Sequence, residues 1–125
     1  MTRDEFICIL NKVGWNKDEF IVLAGGSLLL RGIREETRDF DLSISKDFAR
    51  KIKLHEFPKN SHGNYIAFKD AEVKDNLESH SFDMVNGFKC QDLLEIIRYK
   101  KNRKTPKDEK DLLAIQRYMN SSMTL

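Results

Sequence analysis

The order of apolar and polar residues along the chain predicts helices at both ends and strands between them. Apolar residues recur at helical spacing in the first segment, and Thr2 followed by Glu5 forms a capping-box pair, so we expect a helix over 2–14. The run 20–24 is continuously apolar, which indicates a buried strand. A glycine pair then interrupts the pattern, and a short helix is predicted over 27–31.

The pattern changes to strict alternation at residues 39–44, as in a strand with one buried face. Beyond it the pattern predicts a short helix over 46–54, a loop over 58–63 and a strand over 65–68. A turn within 74–79 leads to a strand over 81–85, and two helices follow over 91–102 and 107–119. Residues 120–125 are expected to fray. These elements indicate an α/β (α+β) fold in which helices pack against a small mixed sheet.

The composition fits one compact domain. The chain of 125 residues is 40% hydrophobic and 34% charged, with a formal net charge of only +2. This balance excludes a disordered chain, and it excludes a protein that binds nucleic acid through overall positive charge alone. We therefore predict a single domain over residues 1–125.

The sequence also indicates the cellular location of the protein. The longest apolar stretch, 20–30, is shorter than the roughly 20 residues that span a bilayer, so no membrane partner is expected. Asp4 and Glu5 occupy positions where a signal peptide carries basic residues. Cys8 and Cys90 lie far apart in sequence and are expected to be free thiols. Together these features predict a cytoplasmic protein.

The segment 25–42 contains the residues with the clearest chemical meaning. A glycine pair and a serine form the predicted turn between a buried strand and a helix, at Gly25, Gly26 and Ser27. Such a turn lets backbone N–H groups approach a phosphate. Asp39 and Asp41 are two positions apart on the next predicted strand, so their side chains share a face. Two neighbouring carboxylates repel each other unless a cation lies between them, and Mg²⁺ prefers such oxygen ligands.

Other motifs with these residue types are excluded by their spacing. The glycines do not match a dinucleotide fingerprint, and no Gly-Lys-Ser/Thr follows them to form a Walker loop. A calcium loop that began at Asp39 would need glycine at position 44, where the chain has Ile44. A glycine turn followed by paired carboxylates is instead the arrangement that metal-dependent phosphoryl or nucleotidyl transfer requires.

This ordered set of residues resembles the nucleotidyltransferase superfamily related to DNA polymerase β, in its minimal bacterial form. Gly26-Ser27 is followed by eleven residues and then by Asp39-Phe40-Asp41-Leu42. Small proteins of the abortive-infection toxin type have a fuller pattern, Gly-Gly-Ser and then Gly-x-Arg-x-x-Thr-x-Asp-x-Asp, which is matched here by Gly32, Arg34, Thr37, Asp39 and Asp41. Their C-terminal helix pair carries Lys, Arg and Lys-Asp-x-x-Asp, similar to Lys100, Arg103 and 107–111. The resemblance follows most of the chain in order, although only residues 25–42 are specific.

The resemblance implies a nucleotidyltransferase-like fold and a metal-dependent enzyme. Asp39 and Asp41 would hold Mg²⁺ (or Mn²⁺). The nucleoside triphosphate would be bound by the glycine turn and two cations, at Gly25, Gly26, Ser27, Arg34 and Lys100. A third carboxylate is expected on a later strand, as a further metal ligand and a general base toward the acceptor hydroxyl. Asp83 is the first candidate because apolar strand residues flank it, and Glu72 and Asp70 are alternatives.

The implied reaction transfers a nucleoside monophosphate from the triphosphate to an acceptor, and the sequence leaves the acceptor open. A transfer RNA, a protein side chain and a small molecule such as an aminoglycoside all fit. Because the chain is minimal, it is expected to depend on a toxin or antitoxin partner. One alternative is a catalytically silent member with this fold that binds or regulates a partner, as in a toxin–antitoxin pair. Another is an RNA-binding module that uses residues 98–107, which contain six cations and no acid.

Overall fold

The structure, a computed structural model, describes residues 1–123, which form five α-helices and a six-stranded mixed sheet. The helices are α1 (Arg3–Val13), α2 (Ala24–Leu30), α3 (Lys46–Lys51), α4 (Leu93–Arg103) and α5 (Pro106–Met123). The strands are β1 (Phe20–Val22), β2 (Asp41–Ile44), β3 (Tyr65–Ile66), β4 (Glu72–Lys74), β5 (Phe82–Val85) and β6 (Phe88–Gln91). The predicted α+β class is confirmed.

The sheet has the strand order β3-β4-β2-β1-β6-β5, with β1 and β2 at its centre. The pairs β2–β4 and β1–β6 are parallel, and the other three pairs are antiparallel. One face of the sheet joins α1 and α2 in the main hydrophobic core, through Phe6 and Leu29. The opposite face carries Asp41 on β2 and Glu72 on β4. This division leaves the carboxylates on the face away from the main core.

The first helix forms as its sequence predicts. The Thr2 hydroxyl accepts from the Glu5 N–H, and the Glu5 carboxylate accepts from the Thr2 N–H at 3.2 Å. Gly14 ends the helix in the left-handed conformation, with φ of 72°. Phe6 is fully buried and stacks on Phe40, with ring centroids 4.2 Å apart. Helix α1 therefore packs against the segment that leads into β2.

Two strands, β4 and β6, were not predicted. The tight turn at Asn86-Gly87 joins β5 to β6, and both residues have positive φ, as a two-residue hairpin turn requires. This dipeptide between apolar segments is a hairpin signal, and it places a strand where the sequence predicted the approach to a helix at Gln91. Strand β4 has only three residues, which is too short for alternation alone to reveal it.

Several other elements begin or end at residues different from those predicted. Helix α2 begins at Ala24, so the glycine pair lies in its first turn instead of interrupting the chain before it. Strand β2 begins at Asp41, and Asp39 precedes it. Helix α5 runs through Met123, beyond the predicted end at 119, and therefore includes part of the tail that was expected to fray. Residues 124–125 of that tail lie outside the described residues.

A second, smaller core joins the C-terminal helices to α2. Leu28 of α2, Ile96 of α4 and Ile115 of α5 are buried together. This contact fixes the helix pair beside the turn that precedes β2. In the part of the chain described, no helix has the length and apolar character needed to cross a membrane.

Candidate functional site

The centre of the candidate site is a pair of carboxylates on adjacent strands. Asp41 and Glu72 are directly opposite each other in the parallel β2–β4 register. Because opposite residues in a sheet place their side chains on the same face, the two carboxylates are neighbours. The Asn60 side-chain amide donates a hydrogen bond to Glu72 Oε1 and so holds this second carboxylate.

The pKa of Asp41 reflects the carboxylates that lie close to it. The pKa of Asp41 is raised to about 7, mainly because the carboxyl group is partly buried. The hydrogen bond with Glu72 and the negative charges of Glu72 and Asp39 raise it further. Lys74 acts weakly in the opposite direction. The negative charge in this cluster is therefore incompletely compensated by the protein itself.

Asp39 forms the outer part of the same cluster and has a cationic partner. Its Oδ2 lies 3.3 Å from Lys107 Nζ at the start of α5, and the two side chains are 46% and 59% exposed. Asp39 also lines a cleft of about 770 Å³ between residues 33–39 and helix α5, with Lys107, Lys110 and Arg38 on its walls. Asp39 is therefore the carboxylate of the cluster that lines a cavity large enough for a nucleotide-sized ligand.

Gly25 lies against the segment that carries Asp39. A Cβ atom at this position would be 2.8 Å from Arg34 Nη1, 2.8 Å from Thr37 Oγ1 and 3.5 Å from Asp39 Oδ2. Only a residue without a side chain lets the start of α2 approach this closely. Gly25 of the glycine turn and Asp39, which the sequence analysis placed in one ordered set, therefore lie close together in space.

Gly26 and Ser27 have internal roles in the structure. A Cβ on Gly26 would be 2.7 Å from both Phe6 and Val22, so this glycine is required by the core. Ser27 is fully buried, and its hydroxyl donates to the Gln91 carbonyl at 2.9 Å and accepts from Arg31. The Gln91 side chain in turn accepts from the Ala24 N–H at 2.8 Å. The Ser27 hydroxyl that was predicted to contact the nucleotide is thus held inside the fold.

Arg34 and Lys100, the two predicted phosphate contacts, meet on one buried carboxylate. Arg34 donates to Asp111 through Nε at 3.1 Å and through Nη2, and Lys100 Nζ lies 2.9 Å from the same carboxylate. The Lys100 side chain is only 4% exposed, and it also contacts Asp108 at 3.4 Å. Arg103 completes the network with two hydrogen bonds to Asp108. The structure thus assigns both predicted phosphate contacts to a buried ion-pair network.

This network explains the Lys-Asp-x-x-Asp element in structural terms. Thr105 and Asp108 form a reciprocal capping box at the start of α5, in which the Asp108 N–H donates to Thr105 Oγ1 and the Thr105 N–H donates to Asp108. Asp111, one turn further along, joins Arg34 to Lys100. The element therefore attaches the C-terminal helices to the loop before Asp39.

Asp83, the first candidate for the third carboxylate, is not part of the cluster. It lies on β5 at the edge of the sheet, and β1 and β6 separate it from β2. Its side chain is 64% exposed and accepts from Arg31 Nη2 at 3.0 Å. Glu72, one of the two alternatives, occupies the position beside Asp41 instead. The sequence favoured Asp83 because apolar strand residues flank it, whereas β4, which carries Glu72, was not predicted as a strand.

The basic stretch 98–107 is divided between internal and exposed cations. Lys100 is buried, Arg103 pairs with Asp108, and Lys107 pairs with Asp39. The remaining three cations of the stretch, Arg98, Lys101 and Lys104, are exposed. Half of the apparent positive patch is therefore already paired with acidic residues.

The donor set suits a hard divalent cation, although the side chains are not gathered around one point. Asp39, Asp41 and Glu72 offer carboxylate oxygens, which Mg²⁺ and Mn²⁺ prefer, and the raised pKa of Asp41 reflects negative charge that such a cation would offset. Within residues 1–123 no group of three or more His, Cys, Asp and Glu side chains is arranged to hold a metal ion. Metal binding here would require Asp39 to change its partner.

Comparison with known proteins leaves the family open. No protein-family model, no curated protein and no solved structure matches the chain. The resemblance to nucleotidyltransferases therefore depends on the sequence alone, chiefly on the ordered residues between Gly25 and Asp41.

Proposed function

We propose that the protein is a metal-dependent nucleotidyltransferase that transfers a nucleoside monophosphate from a nucleoside triphosphate to an acceptor. The observation that carries this proposal is the position of Glu72 directly across from Asp41, with Asp39 beside them. Two neighbouring carboxylates, with a third on the wall of a cleft, offer the oxygen ligands that a magnesium-bound triphosphate uses. Glu72 takes the role first considered for Asp83.

The chain's residues would divide the work as follows. Asp39, Asp41 and Glu72 would hold Mg²⁺ or Mn²⁺, which would bind phosphate oxygens and stabilise the charge that develops on them. A carboxylate of the cluster would accept the proton of the acceptor hydroxyl. That oxygen would form its bond to the α-phosphorus while the bond to the pyrophosphate oxygen breaks, and pyrophosphate would leave with the electron pair.

The triphosphate would lie along the cleft beside α5. Gly25 brings the start of α2 close to Asp39, and Lys107, Lys110 and Arg38 supply positive charge around the cleft. The acceptor remains a transfer RNA, a protein side chain or a small molecule. A toxin or antitoxin partner and a cytoplasmic location belong to the same proposal.

Titration calorimetry tests the proposal directly. Wild-type protein titrated with Mg²⁺ and each of the four ribonucleoside triphosphates is expected to bind at least one of them. The double substitution Asp39→Ala with Asp41→Ala is expected to abolish metal binding and any transfer of labelled monophosphate. Transfer that persists in the double variant would overturn the metal assignment. The matched control is Asp75→Asn, an exposed carboxylate that follows β4.

A catalytically silent protein with this fold is the second candidate, and one observation favours it. Ser27, Arg34 and Lys100, three residues expected to contact the nucleotide, all bind partners within the protein. In this case the same titration would show no triphosphate binding at millimolar concentration, and the protein's role would be to bind or regulate a partner.

A further inference from the structure

Lys107 binds the carboxylate that the proposed metal needs. Its ammonium group lies 3.3 Å from Asp39 Oδ2, on the opposite wall of the cleft from residues 33–39. Both side chains are about half exposed, so the pair is a weak one that solvent and ions can exchange. Asp39 therefore already has a cation, although one held by a flexible side chain.

We propose that Lys107 exchanges partners when substrate binds: the metal displaces it from Asp39, and the freed ammonium then binds the phosphates of the incoming triphosphate. This inference rests on the proposed function. A dication on Asp39 repels the neighbouring ammonium group, which remains tethered at the start of α5. The phosphates of a triphosphate bound in the same cleft would supply the negative charge that the ammonium group has lost.

Lys107 is better placed for this exchange than the other cations near the site. Arg34 and Lys100 share the buried Asp111, and moving either would leave a buried charge unpaired. Arg38 and Lys110 line the same cleft, but neither forms an ion pair with Asp39 among the described residues. Lys107 alone among these described cations contacts a proposed metal ligand and is free to leave it.

Removing the charge of Lys107 is expected to change the affinities for metal alone and for the metal–triphosphate complex in opposite directions. Without nucleotide, Lys107 competes with the metal for Asp39, so removing its charge strengthens the binding of metal alone. With nucleotide, Lys107 contributes a charge-assisted contact, so removing its charge weakens the binding of the metal–triphosphate complex. A residue that only supports the fold would weaken both.

Calorimetry on three proteins tests the exchange: the wild type, Lys107→Gln and Lys110→Gln. Each is titrated with Mn²⁺ alone and then, in excess Mn²⁺, with whichever triphosphate the wild type binds. For Lys107→Gln we expect the Mn²⁺ affinity to rise about two- to fivefold, the range of an exposed ion pair. The affinity for the triphosphate is expected to fall roughly tenfold or more, as for the loss of a charged hydrogen bond. Lys110→Gln removes the same charge one turn along α5 and controls for the general field of the cleft.

Each other outcome overturns the inference. Equal effects in the two variants would mean that only the net charge of the cleft matters. A loss of Mn²⁺ affinity in Lys107→Gln, with an unchanged melting temperature, would mean that Lys107 supports Asp39 instead of competing for it. If the wild type binds neither Mn²⁺ nor any triphosphate, the proposed function itself fails. The wild-type titration therefore separates this result from failure of the exchange alone.

Discussion

Asp41 and Glu72 face each other across the parallel strands β2 and β4, and they bring two carboxylates together from distant parts of the sequence. Burial and the neighbouring carboxylate raise the pKa of Asp41 to about 7. Repulsion of this kind is costly unless a ligand offsets it, so the pair is the most informative feature of the sheet.

The first prediction separates the two candidates for the third carboxylate. Glu72→Gln is expected to abolish Mn²⁺ binding, because it removes an anionic ligand next to Asp41 while keeping the shape of the side chain. Asp83→Asn is expected to leave Mn²⁺ binding unchanged, because Asp83 lies on the far edge strand and is largely exposed. Titration calorimetry of both variants measures this. Loss of metal binding only in Asp83→Asn would reverse the assignment.

The second prediction concerns stability without metal. At pH 8 and with divalent ions removed, Asp41→Asn is expected to raise the free energy of unfolding by about 1 kcal/mol, because like charges directly opposite in a sheet are destabilising. Urea denaturation followed by circular dichroism measures the change. Asp75→Asn, which changes an exposed carboxylate in the same way, is the control and should have little effect. A less stable Asp41→Asn protein would show that the carboxylate is satisfied by its surroundings.

The third prediction compares the two neighbouring glycines. Gly25→Ala would place a methyl group 2.8 Å from Arg34 Nη1, and Asp111 restrains that guanidinium, so the loop that carries Asp39 must move. We expect weaker metal and nucleotide binding with a small loss of stability. Gly26→Ala would place its methyl group 2.7 Å from Phe6 and Val22. Overpacking of this kind costs about 1–3 kcal/mol, which thermal and urea unfolding would detect. Equal effects of both variants on stability would contradict these separate roles.

The fourth prediction concerns the buried ion pairs. Asp111→Asn leaves Arg34 and Lys100 without the carboxylate that they share, and such a loss costs about 3–5 kcal/mol when the partners remain buried. Chemical denaturation is the measurement. Glu109→Gln, an exposed neighbour on the same helix, is the control and should change stability little. A loss below about 1 kcal/mol in Asp111→Asn would mean that water replaces the missing partner.

The fifth prediction follows from the pKa values of the same network. Hydrogen bonds from Arg103, and then from Thr105 and Lys100, lower the pKa of Asp108 despite its burial. Burial alone would raise the pKa of Asp111, but Arg34 and Lys100 lower it below its usual value. The unfolded chain therefore binds protons at a higher pH than the native protein does.

The sign of the pH dependence follows. Above the ordinary aspartate pKa of about 4 the stabilisation is fully present, and it is lost as the pH falls toward the lower native values. We expect the free energy of unfolding to decrease steadily below about pH 4. The double variant Asp108→Asn with Asp111→Asn should show a flatter acid limb. Equal slopes in the two proteins would assign acid sensitivity to other carboxylates.

The local features of the sequence predicted the elements that depend on short-range interactions. Helix α1 forms where Thr2, Glu5 and Gly14 place its ends, because caps act within one turn. The alternation of Phe40, Leu42 and Ile44 predicted β2, since these residues share one buried face. The mixed α+β class followed from the sum of such elements.

The sequence alone did not predict which strands pair, and the roles of single residues depend on that pairing. Glu72 lies beside Asp41 because β4 pairs in parallel with β2. A strand of three residues has too little sequence pattern to predict such a long-range contact. The Lys-Asp-x-x-Asp element was recognised, but only the packing of α5 shows its carboxylates buried against Arg34 and Lys100.

Local features of the sequence therefore predicted the five described α-helices and four of the six described strands, and the spacing of Gly25, Asp39 and Asp41 led to the proposed chemistry. The tertiary structure alone decided that Glu72 joins Asp41, that Asp83 stands apart, and that Lys107 holds Asp39. The physical reason is that caps and periodicity act over a few residues, whereas the charge around a carboxylate depends on strands and helices that are distant in the chain.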